Sequence, residues 1–155
     1  MDQPSDNELK VICAILLSDS AIREMGTGKV TIVGLFNGWN CPFFPFPTPP
    51  FCITICVSNL NAGTKEVNIV VRIEQKSSGL VLGNVGAQIR FPEGTPIGRN
   101  TVIDIPFLVP GIQIPQPGEY RVVVLSSDEK LDERPVQVTL AKPPPNSPPF
   151  QFPHS

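Results

Sequence analysis

From Lys10 to Leu140 the chain is broken into short runs of β-branched and other apolar residues, each closed by Gly, Pro or Asn. Almost nothing in it repeats with a helical period. Runs such as VNIVVRI (Val67 to Ile73) and EYRVVVL (Glu119 to Leu125) alternate or stay apolar over a strand's length, and turn chemistry bounds them. A chain written this way predicts an all-β fold: a single antiparallel β-sandwich of about eight strands, with an immunoglobulin-like or related Greek-key topology. Length agrees, because 155 residues suit one domain, and such a domain buries about two thirds of its unfolded surface.

The expected strands are Leu9 to Leu17, Val30 to Phe36, Phe51 to Asn59, Glu66 to Glu74, Leu80 to Phe91, Asn100 to Leu108, Glu119 to Leu125 and Lys130 to Leu140. The first is apolar on both faces, which predicts a central place. Ser18 to Lys29 reads as a polar connection with room for one helical turn around Ser20 to Met25. Gly83 and Gly86 inside their strand predict a bulge or a close backbone approach. Pro106 cannot donate to a ladder, so its strand is expected at an edge or bulged there, and Pro135 marks the last strand as peripheral. Residues 1–8 are read as a flexible N-terminus and 9–140 as the sandwich. Residues 141–155, with six prolines beyond Lys142, form a tail suited to polyproline II or disorder, or to docking.

Charge excludes some partners. A net charge of -2 and singly scattered Lys and Arg residues leave no electrostatic footprint for nucleic acid. The apolar run VICAILL is far too short to span a bilayer, which needs about 20 residues, and MDQPSDNELK lacks the positive start of a signal peptide. No membrane association is expected. Cys52 and Cys56 lie on one face of an extended strand roughly 13 Å apart, beyond both disulfide and shared-metal reach. With Cys13 and Cys41 they read as buried, inert thiols, which favours a reducing cytoplasm.

The residues GKVTIVGLF, from Gly28 and Lys29 to Gly34 and Phe36, follow an opening Ile12-Cys13. Later come Phe46-Pro47 with Pro50-Phe51, and the Pro117-Gly118-Glu119-Tyr120 hairpin. This pattern, from about Leu9 to Leu140, resembles a family of small uncharacterised bacterial β-sandwich proteins, a domain of unknown function. The resemblance implies the sandwich and a bacterial cytoplasm, and carries no catalytic residue with it.

Reactive constellations are missing from the pattern. GTGK (Gly26 to Lys29) resembles a phosphate loop, but Arg23 and Val30 stand where that loop needs a glycine and a hydroxyl residue. A tight turn before the next strand is the expectation. The lone histidine, His154, stands beside the last residue, leaving Cys or Ser nucleophiles without a base. Asp104 and Glu119 are outward strand positions with no partner at readable spacing. Neither a cofactor nor a metal is expected.

One segment asks for a function. In NGWNCPFFPFPTPP, Trp39, Phe43, Phe44 and Phe46 are concentrated between prolines. They predict either a plug closing one end of the sandwich or an exposed aromatic surface for a protein partner. Phe150 and Phe152 in the tail are linker residues or anchors of a docking peptide. The reading is a non-enzymatic protein-interaction or structural module, with a protein partner or self-association. The alternatives are carbohydrate or small-ligand binding at the 37–50 loop, and an enzyme working with carboxylates alone.

Overall fold

The computed structural model describes residues 11–143 and 145; residues 1–8, most of the tail, His154, Phe150 and Phe152 lie outside the described residues. Eleven strands appear among the described residues: β1 Ile12–Arg23, β2 Val30–Phe36, β3 Gly38–Cys41, β4 Phe46–Pro47, β5 Phe51–Ser58, β6 Glu66–Gln75, β7 Val81–Arg90, β8 Ile103–Val109, β9 Gln113–Ile114, β10 Gly118–Ser126 and β11 Glu129–Leu140. They build a four-stranded sheet ordered β2-β1-β5-β8 facing a five-stranded sheet ordered β3-β11-β10-β6-β7, with β4 and β9 as a small separate pair.

Each of the eight expected strands has a counterpart, seven of them within three residues of their expected bounds, while the first runs six residues past its expected end, to Arg23. The core is made by the alternation that announced them. Val67, Ile69, Val71 and Ile73 of β6 face Ile15, Leu17, Ile53 and Ile55 of the other sheet within one buried cluster. Tyr120, Val122 and Val124 of β10 complete it. β1 is central, between β2 and β5. The close approach expected in β7 is present: a Cβ on Gly86 would stand 3.1 Å from the Ile69 carbonyl oxygen. The pairing of β6 with β7 also shifts register between Ile73 and Glu74. Ser127 and Asp128, at φ 48° and 68°, make the two-residue turn whose twist suits a β10–β11 hairpin.

Four expectations need correction. The stretch Ser18 to Arg23 is not a polar connection with a helical turn: it continues β1 and pairs with Val30–Phe36. Its Ser-Asp-Ser-Ala-Ile alternation carries strand pairing, and Glu24 to Lys29 alone makes the turn, closed by a 2.8 Å bond from the Glu24 N–H to the Lys29 carbonyl. The loop from Asn37 to Pro50 contains two short strands, β3 and β4. The connection from Val109 to Gly118 contains β9. Finally, β3 runs parallel to β11, so the larger sheet is mixed. That pairing places β11 inside the sheet over Gln137 to Leu140, while Pro135 lies just before the stretch that β3 covers. Pro106 sits as expected in an edge strand, β8.

β1 does not run straight. Register places Ala14, Cys56 and Asp104 in one row across the smaller sheet. Nine residues of straight strand would carry Arg23 about 30 Å from that row. Instead its guanidinium donates to the Asp104 carbonyl at 2.5 Å, so the outer half of the β1–β2 hairpin curls back toward β8.

Candidate partner-binding surface

The aromatic loop is built from its anchor points outward. Gly38 opens β3 so close to β11 that a Cβ there would stand 2.1 Å from the Gln137 carbonyl oxygen; only glycine allows the strands to meet. Trp39 follows, opposite Val138. Its ring lies 5.2 Å from Phe36 and 5.2 Å from Phe51, tilted or edge-on to each. Trp39 is half-buried, and with Phe44 and Phe46 it packs against the core cluster. These three are the plug that the sequence offered as one alternative.

Phe43 differs. It is 56% exposed and meets Phe46 edge-on at 5.8 Å between ring centres. The backbone beneath it is fixed. Phe46 and Pro47 pair with Ile114 and Gln113, and the buried Thr48 hydroxyl accepts a 3.1 Å bond from the Ile112 N–H. The structure thus divides the predicted aromatic set: Trp39, Phe44 and Phe46 form a half-buried base, and Phe43 stands out from it. Leu140, 55% exposed, pairs with Cys41 at the same end of β3.

Two side-chain acceptors near this loop are engaged. The Asn37 side-chain oxygen accepts from Arg134, and that of Asn40 accepts a 3.2 Å bond from the Thr139 hydroxyl. A sugar needs free donors and acceptors beside its aromatic platform. The side-chain oxygens of these two neighbours already accept bonds from within the chain.

Sites for chemistry are sparse. Glu119 is outward, as expected, but it has a partner: Lys76 Nζ lies 2.7 Å away on the open surface, and that hydrogen bond holds the carboxyl below its ordinary range. A recess of about 480 Å³ opens beside this pair, lined by Gln75, Ser77, Gln116 and Pro117 among others, with no aromatic ring. Burial raises the Cys13 thiol to about 12, helped by Asp132 and Cys56. Burial and a hydrogen bond to Asp104 raise Cys56 to about 11. Such thiols are protonated at neutral pH and poor nucleophiles. All four cysteines are free, with Cys52 and Cys56 four residues apart on the outward face of β5. Among the described residues no three His, Cys, Asp or Glu side chains gather into a metal-holding group. No helix there is long and apolar enough to cross a membrane.

Sequence reasoning missed a second exposed surface, the β1–β2 hairpin. Ile22, Val33 and Leu35 are 56%, 47% and 63% exposed. The register Ile22↔Thr31, Ser20↔Val33 and Ser18↔Leu35 sets them on one face. The signal was the uncharged run VTIVGLF, read only as a strand.

Against known proteins, residues 13–139 match the profile described as "Family of unknown function (DUF6941)". No curated protein matches. Among solved structures, "The structure of a beta-glucuronidase from glycoside hydrolase family 2" aligns at 18% identity with a TM-score of 0.41, covering 63% of this chain and 10% of that one.

Proposed function

The chain belongs to the family of unknown function DUF6941, and on that premise we propose that it is a non-enzymatic interaction module of the bacterial cytoplasm, holding a protein partner on its 37–50 loop. The observation that carries this reading is Phe43: a large ring, 56% exposed, on a backbone pinned from both sides. An aromatic anchor on a rigid support loses little freedom on binding, and such residues dominate contact energy at interfaces. The engaged side-chain oxygens of Asn37 and Asn40 leave fewer acceptors for a sugar, which favours a protein. Thiols raised by burial, and an exposed Glu119 tied to Lys76, favour a binding role over catalysis. Four free cysteines suit a reducing compartment, and the net charge of -2 disfavours nucleic acid.

The scaffold we infer is immunoglobulin-like. The order β1-β5-β8 against β11-β10-β6-β7 follows the A-B-E and G-F-C-C′ layout of that fold, and Tyr120 occupies the start of the strand in the F position.

A photo-crosslinking amino acid in place of Phe43, expressed in the native host, tests the reading. One discrete protein adduct is expected, absent when the same probe replaces the exposed Glu129. Identical adduct patterns at the two positions, or none at either, would remove the loop as a docking site.

A further inference from the structure

We propose that the chain pairs with a second copy of itself through the free edge of β2, antiparallel and about a two-fold axis. This contact is separate from the aromatic loop. Among the described residues β2 hydrogen-bonds to β1 alone, so one side of Val30–Phe36 presents unpaired backbone groups. The other sheet edges carry recognised protection against such pairing. β8 has Pro106; β7 has a register shift in its ladder and the charged Arg90; β3 is four residues long. β2 has seven residues, VTIVGLF, with no proline, no charge and no register shift. Its side chains Val33 and Leu35, with Ile22 of β1, add an exposed apolar face.

Charge selects the occupant. Lys29 precedes the N-terminal end of β2. Near the other end the Asp19 carboxylate lies against Gly34, where an added Cβ would stand 2.0 Å from Oδ2. Neither Lys29 nor Asp19 is in an ion pair among the described residues. Antiparallel self-pairing brings Lys29 of each copy toward the Asp19 end of the other, twice by symmetry, with no like charges along the strand between. Gly34, at φ +70°, bends the far end of the edge, so the pairing centres on the regular stretch from Val30 to Val33.

Sedimentation equilibrium on the full chain tests this. The wild type is expected at twice the chain mass at micromolar concentration. Val33→Lys is expected at the single-chain mass with an unchanged circular dichroism spectrum. Lys29→Asp, an exposed turn substitution, should weaken association by about tenfold, and adding Asp19→Lys to it should restore the loss. Phe43→Ala should leave the mass unchanged. A wild type at single-chain mass throughout overturns the proposal, as does a dimer indifferent to Val33→Lys. A double charge variant no tighter than Lys29→Asp, or a dimer dispersed by Phe43→Ala alone, also overturns it.

Discussion

The Tyr120 hydroxyl donates a 2.7 Å hydrogen bond to the backbone carbonyl of Gln116, four residues upstream. Only 1% of this residue is exposed, so its ring fills the core while its polar tip ties down the turn that opens β10. Tyr120→Phe keeps the ring and loses the bond, and should cost about 1 kcal/mol. Tyr120→Ala should cost about 3–5 kcal/mol. Denaturant midpoints separate the two; an alanine variant no weaker than the phenylalanine variant would mean that the ring contributes nothing.

The strand that carries this tyrosine was legible in the sequence, because EYRVVVL is a largely apolar run that turn residues bound. The eight main strands were legible for the same reason, since their apolar alternation is local. What escaped was set by distant partners. Gly38–Cys41 becomes a strand only because β11 offers an edge and Gly38 lets the backbones meet, and nothing within GWNC announces that. Phe46–Pro47 pairs with Gln113–Ile114, more than sixty positions along the chain. The division of the aromatic cluster into Phe43 and its base was equally hidden, because burial of Trp39 depends on Phe36 and Phe51 arriving from either side.

Thr54 is 1% exposed, and its hydroxyl has no hydrogen-bond partner among the described residues. Its neighbour across the ladder is Pro106. A buried hydroxyl without a partner costs free energy that a methyl group does not. Thr54→Val should therefore raise stability, by about 1 kcal/mol. A lower thermal midpoint would show that the hydroxyl has a partner after all.

Stability should fall at high pH through buried thiols. In the unfolded chain a cysteine ionises near its ordinary 9.0, whereas folded Cys13 is raised to about 12 and Cys56 to about 11. A folded pKa above the unfolded one gives stabilisation that is complete below about pH 9 and is lost as pH rises toward the folded values. Unfolding midpoints measured from pH 8 to 11 should decline, and Cys13→Ala should flatten the slope. An identical slope in the variant would contradict the burial of this thiol.

Arg134 on β11 donates a 2.6 Å bond to the Ile15 carbonyl of β1 and a second bond to the Asn37 side chain. It joins the two sheets on the side where β2 does not reach, since β2 pairs only from Leu17 onward. Arg134→Lys keeps the charge and loses the fork that addresses both acceptors. It should lower stability by about 1–2 kcal/mol, nearly as much as Arg134→Ala. A lysine variant with wild-type stability would show that charge alone suffices.

The parallel course of β3 and β11 makes the chain after Cys41 and the chain after Leu140 leave the sheet side by side. The Ala141 N–H extends the contact with a 2.7 Å bond to the Cys41 carbonyl. Anything tethered beyond Leu140 therefore starts next to Phe43, and a weak ligand fused there would meet the loop at an effective concentration of about millimolar. The same geometry lets a short C-terminal tag compete with a true partner, so affinities measured with tags at the two ends of the chain should differ.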